Sequence, residues 1–158
     1  MQALQLKRYG GLDHVAFAEL PRPPPGPGEL LVRVRAVGLN PIDYLIPRGD
    51  FKPILKLRLP ATLGSDLAGV VVQVGSGVTR FQVGDAVYAS IFDTPYGSLA
   101  ECAVVPEQAA AQIAALLEAG SIRPVIDQVF PFLQAKQALT YLAQGRARGK
   151  VVLRLPVP

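Results

Sequence analysis

Glycine and proline cut the first two-thirds of this chain into short apolar runs, and that punctuation restricts the fold more than any other feature. Most of the fifteen Gly and fifteen Pro among the 158 residues fall there. A proline fixes φ and supplies no N–H, and a glycine admits backbone angles that other residues avoid, so long helices are interrupted while short strands joined by turns are not. The pattern predicts an antiparallel sheet folded round on itself.

Three strands are expected first, at "ALQL", "VAFAEL" and "ELLVRVRAVGL". In the third, Leu30, Val32, Val34 and Ala36 fall on one face and Arg33 and Arg35 on the other, the alternation of a half-buried strand. The proline-rich "PRPPPGPGE" before it is a stiff loop. "GLNPIDYLIPRG" suits a short helix with Pro41 in its first turn, Asn40 as cap, and Pro47 and Gly49 as its end. "DLAGVVVQVGSGVTRFQVGDAVYAS" reads as two strands about a turn in which Gly75 and Gly77 offer positive φ, and "SLAECAVV" as another strand.

Beyond Pro106 the pattern becomes helical. Ala109, Ile113, Leu116 and Leu117 line one face of "EQAAAQIAALLEAG", and Phe132, Ala135, Leu139 and Leu142 one face of "PFLQAKQALTYLAQG"; "KVVLRL" closes the chain as a strand. A strand thus runs into a helix at Pro106 with nothing between them.

Half of the residues are hydrophobic, enough for one domain with a real core. The net charge of +4, clustered only at Arg146, Arg148, Lys150 and Arg154, argues against nucleic acid as a partner. No segment approaches the roughly 20 apolar residues that span a bilayer, no secretory signal opens the chain, and Cys102 alone cannot form an internal disulfide, so a reduced, cytoplasmic protein is expected. Cys102 reads as a buried small side chain and His14 as a surface residue; one Cys and one His far apart do not make a zinc site. "GSGVTR" lacks the third glycine and the following helix of a dinucleotide fingerprint, and "GRARGK" has the wrong spacing for a phosphate loop. Asn40, Asp43 and Tyr44 form the one dense polar group, suited to hydrogen-bonding a carbonyl-bearing ligand. The plainer reading is that Asn40 caps the helix while Asp43 and Tyr44 face water.

The stretches "GGLDHVAFAELPRPPPGPGELLVRVRAVGLNPIDYLIPRG", "LPATLGSDLAGVVVQVGSGVTRFQVGDAVYA", "GSLAECAVVPE" and "IRPVIDQVFPFLQAKQALTYLAQGRARGKVVL" closely resemble the medium-chain dehydrogenase/reductase superfamily, in its quinone oxidoreductase (zeta-crystallin-like) branch. The resemblance implies a mainly β fold with α, the GroES-like distorted antiparallel barrel with rim helices, which is the family's catalytic domain. It implies NADPH-dependent reduction of a small quinone or enone. Asn40, Ser65 and Lys150 are then expected near the cofactor, and Tyr44 with Asp43 near the substrate cleft; residues 48–59 depart from the pattern and leave the outer substrate wall undefined. Zinc-dependent relatives carry a Cys ligand where this chain has Asn40 and a Gly-His-Glu near Gly64, Ser65 and Asp66, so no catalytic metal is expected.

In the resembling proteins a complete Rossmann domain follows the strand matching "AECAVVP", and the chain then returns through the helix matching "QIAALLEAG". Here the flanks join directly, which implies one GroES-like domain assembled from residues 1–106 and 113–158, with no Rossmann domain at the junction 106–112. Deliberate excision and a natural short paralogue both fit. The expectations are an independently folding barrel, no tight NADPH binding, little or no activity alone, and self-association through Leu116 and Leu117; the alternative is a stand-alone GroES-like binding or self-assembling module.

Overall fold

The computed structural model describes residues 1–55, 57–95, 97–111, 119–120 and 123–156. Its strands in chain order are β1 (Gln2–Leu6), β2 (Val15–Glu19), β3 (Glu29–Leu39), β4 (Ala61–Thr62), β5 (Asp66–Val74), β6 (Ala86–Ser90), β7 (Cys102–Pro106), β8 (Ala110–Ala111), β9 (Ile126–Pro131) and β10 (Lys150–Arg154). The α-helices are α1 (Ile42–Arg48) and α2 (Ala135–Ala143). A three-stranded sheet runs β2-β1-β4, and a seven-stranded sheet runs β8-β6-β5-β3-β10-β9 with β7 also on β3. The two sheets enclose one apolar core that includes Leu4, Leu6, Leu30, Val32, Leu139 and Leu153, and Leu4 N–H donates to Leu99 O at 2.7 Å across the join. This is the mainly β, GroES-like architecture expected from the sequence.

β3 organises the large sheet. One edge pairs with β5; the other is shared end to end by β7, opposite Glu29–Arg33, and β10, opposite Ala36–Leu39. The alternation expected along β3 holds only to Val34. Irregularities in its pairing with β5 fall between Leu31 and Val32 and between Val34 and Ala36, and such a bulge re-phases which side chains face inward. Val37 and Leu39 are therefore buried while Ala36 is half-exposed, and Leu31 packs on the opposite face with Cys102 and Val104. Cys102 is buried as anticipated, which pushes its thiol pKa up.

Five other expectations need correction. Asn40 does not cap α1, which begins without a side-chain cap bond, and Pro47 lies inside the helix, which ends at Gly49 with φ 97°. Gly75 does not adopt a positive φ; a Cβ there would collide with the Gly26 carbonyl oxygen, so close approach of backbone demands the glycine, whereas Gly77 does turn at φ 78°. The helix expected from Glu107 is, over its first residues, a 3-10 turn at Glu107–Ala109 followed by β8, which pairs Ala110 with Ala89 and Ala111 with Tyr88. β9 was not anticipated at all, and it runs parallel to β10, so the sheet is not wholly antiparallel. The proposed contact residues Leu116 and Leu117, with the rest of 112–118, lie outside the described residues.

Gly69, opposite Val34, packs closely against β3. A Cβ there would strike the Arg33 carbonyl oxygen and lie 2.7 Å from Val32 Cγ1. Since the obstacle is largely backbone, the sheet cannot yield cheaply, and Gly69→Val is expected to destabilise the fold by about 3 kcal/mol, read from the midpoint of urea unfolding. A shift within error would show that β3 and β5 separate without penalty.

Candidate functional site

The ends of β3, β5 and β10 meet at one corner of the large sheet. Asn40 directly follows β3, Ser65 directly precedes β5 and Asp66 opens it, and Lys150 opens β10, whose pairing of Val151 with Leu39 sets Lys150 beside Asn40. Both polar atoms of the Asn40 side chain are engaged. Its Oδ1 accepts from Lys150 Nζ at 2.6 Å, and its Nδ2 donates to Asp66 Oδ2 at 2.8 Å and to Ser65 Oγ at 3.3 Å. Lys150 Nζ also meets Asp66 Oδ2 at 3.2 Å, with side-chain exposures of 36% and 34%. Screening at such exposure makes the pair a positioning device rather than a large source of stability.

Asp43 adds a second carboxyl from the first turn of α1. It is 2% exposed, and its Oδ2 accepts the Asn40 backbone N–H at 2.7 Å. Burial raises its pKa to about 6, opposed by the Asn40 hydrogen bond and by Lys150 and assisted by the charge of Asp66. The plain reading of this segment is therefore overturned at two points, since Asn40 reaches across the sheet and Asp43 faces inward. Tyr44 is half-buried and joins none of these hydrogen bonds.

Asp43 and Ser65 line a small cavity of about 60 Å³ whose other walls include Ile46, Leu55, Leu57 and Ile91. That volume is small beside the roughly 150 Å³ of a cavity that takes a six-membered ring. The structure thus brings together four of the expected residues, Asn40, Asp43, Ser65 and Lys150. Asp66 had entered only as a place where relatives carry a metal-site residue; its sequence signal was a carboxylate beside Ser65 at a strand start, and nothing local announced a partner 84 residues away.

The described residues do not fit a whole dinucleotide. Pyrophosphate is ordinarily held by a glycine-rich turn opening a helix, but the Gly75–Gly77 turn packs against Gly26 and leads to β6, and α2 is entered through the 3-10 turn Phe132–Gln134. At the polar corner, both Asn40 amide hydrogens are already donated, to Ser65 and Asp66, and its oxygen accepts from Lys150. Among the described residues no group of three or more His, Cys, Asp or Glu converges to hold a metal ion, and no helix is long and apolar enough to cross a membrane.

Residues 26–115 match the alcohol dehydrogenase GroES-like domain. The chain is 39% identical over 159 residues to a chloroplastic quinone-oxidoreductase homolog of Spinacia oleracea, covering 94% of this chain and 45% of that protein. It is 30% identical over 154 residues to a quinone oxidoreductase of Rattus norvegicus, with 97% and 45% covered. The chain therefore spans about half the length of these curated relatives. An NAD-dependent alcohol dehydrogenase superposes with TM-score 0.89 at 18% identity over 99% of this chain and 100% of that one, a likeness of fold alone. A Pseudomonas syringae quinone oxidoreductase gives TM-score 0.63 at 28% identity over 82% and 45%. With its sheet order and these relatives in agreement, the chain belongs to the alcohol dehydrogenase GroES-like domain family, in the quinone oxidoreductase-like group of the medium-chain dehydrogenase/reductases.

Proposed function

We propose that this chain is the acceptor-binding, catalytic domain of an NADPH-dependent quinone or enone oxidoreductase, and that it does not turn over alone because no nucleotide-binding domain interrupts it at the junction 106–112. The observation that carries the reading is the hydrogen-bonded cluster of Asn40, Ser65, Asp66 and Lys150, which Ser65 shares with the apolar-walled Asp43 cavity. The pairing of β8 with β6 supports a junction after Ala111, since it ties that residue to the first segment. In this reading the chain's own residues bind and orient the acceptor, while the hydride would come from the dinucleotide. Titrating isotope-labelled protein with a methoxyquinone, followed by NMR, is expected to shift Asn40, Asp43, Ser65 and Ile91. Shifts confined to the opposite end of the sheet would overturn the assignment.

The reading also proposes no catalytic zinc. Asn40 and Ser65 are not customary zinc donors, and Lys150 places a positive charge among them. Elemental analysis of protein purified without added metal is expected to find far less than one zinc per chain; stoichiometric zinc contradicts the proposal.

A second reading, a stand-alone self-assembling module, is favoured by β9. Its neighbourhood exposes Val125, Ile126 and Leu133 at 71%, 52% and 68%, and an exposed edge strand flanked by apolar side chains invites pairing. Light scattering over a concentration series separates the two: a mass independent of concentration removes the second.

A further inference from the structure

Lys150 is built into its corner from several sides. Gly38 leaves room for its stem, since a Cβ there would lie 2.6 Å from Lys150 Cε. Asn40 Oδ1 and Asp66 Oδ2 then fix Nζ at 2.6 and 3.2 Å, and Asn40 is itself held by Ser65 and Asp66. An ammonium carries three N–H donors. Two are engaged here, and the third has no protein acceptor among the described residues, on a side chain 36% exposed. A cation oriented by acceptors with one donor to spare is the arrangement that binds an oxygen bearing negative charge.

Resting on the function proposed above, we infer that Lys150 recognises the acceptor's oxygen, donating its spare N–H to a quinone carbonyl and more tightly to the phenolate-like oxygen that forms when such a ring gains electrons. The ligand class is an aromatic or conjugated oxyanion. Gly38 and Asn40 position the ammonium; Asp66 orients it and partly neutralises it. The site therefore prefers an anionic quinone to a neutral one of the same shape.

Two probes separate charge from shape: 2-hydroxy-1,4-naphthoquinone, an anion at neutral pH, and its neutral 2-methoxy ether. Calorimetric titration of the intact chain is expected to give tighter binding of the anion, weakening with salt. Lys150→Met is expected to weaken the anion about tenfold, the scale of losing one charge-assisted hydrogen bond, and to remove the salt dependence, with the ether affected far less; Lys150→Arg restores most of the difference. Asp66→Asn removes the neutralising carboxylate and is expected to tighten the anion severalfold, an effect opposite in sign to anything general loss of structure would produce, which covers the case in which Lys150→Met folds poorly. The inference falls if the anion binds no better than the ether, or if neither Lys150→Met nor Asp66→Asn moves its affinity. Should the ether still bind at the Asp43 cavity while the anion ignores Lys150, this assignment fails and the functional reading stands; should neither compound bind, both fail.

Discussion

Mixed with NADPH and a simple quinone, the chain is expected to consume the dinucleotide no faster than the uncatalysed reaction. Enzymes of ordinary efficiency gain on the order of a millionfold or more over that background, so the difference is easily measured. The physical reason is positional. Hydride transfer requires the ring to be held within a near-attack distance, and the described residues supply no glycine-rich turn at a helix N-terminus for the pyrophosphate. Contacts to one end of the dinucleotide alone correspond to binding in the millimolar range, about 4 kcal/mol. Fluorescence titration with NADPH and the absorbance decay in the presence of quinone test the two parts. Inserting a dinucleotide-binding domain between Ala111 and Gln112 is expected to restore turnover. Micromolar NADPH affinity with turnover in the uninterrupted chain would overturn the proposal.

The second large effect is on stability and concerns Asp43. Its carboxyl is held at about 6 in the folded chain because burial penalises the charge, against an ordinary carboxylate value of about 3.9 in an unfolded chain. The folded state therefore binds more protons than the unfolded state between those values, and stability falls as pH rises through that window, levelling off above it. A displacement of this size corresponds to about 3 kcal/mol, with Asp66 and Lys150 acting on it in opposite directions. Asp43→Asn keeps an acceptor for the Asn40 N–H while removing the charge. It is expected to stabilise the protein by about 2 kcal/mol at pH 8 and by nothing measurable at pH 4, as read by urea unfolding at the two pH values. Equal effects at both would show that Asp43 is not titrating in this window. A buried carboxyl that costs stability at neutral pH is consistent with a residue kept for its chemistry.

Much of the architecture could be read before any coordinates. The bounds of β3 were legible because a proline-rich loop precedes Glu29 and Asn40 and Pro41 follow Leu39, with apolar residues and arginines alternating from Val32 to Ala36 between them, and α2 because Ala135 and Leu139, with Phe132 just before it, share one face and are buried as that face requires. What was misread follows a pattern. β9 escaped notice because its side chains are mostly exposed or half-buried, so neither the strand period nor a continuous apolar run marks it; its partner β10 holds it through backbone bonds. The segment Glu107–Ala111 carries strong helix formers, yet β6 draws Ala110 and Ala111 into the sheet and tertiary pairing overrides a propensity worth only tenths of a kcal/mol per residue.

At the candidate site the division is sharper. Local sequence could name Asn40, Asp43 and Tyr44 as a polar group, and family resemblance added Ser65 and Lys150. Neither could say that Asn40 turns away from the helix it precedes to bridge Lys150, Ser65 and Asp66, or that Asp43 faces inward while Tyr44 takes no part. Side-chain periodicity reports which face a residue occupies on its own element, and it determined the longer antiparallel strands, the second helix and much of the apolar core. Which polar atoms meet depends on the register between strands distant in the chain: pairing Leu39 with Val151 brings together Asn40 and Lys150, 110 positions apart. A one-residue slip would send Lys150 to the other face of the sheet, so the polar corner exists only once the tertiary pairing is made.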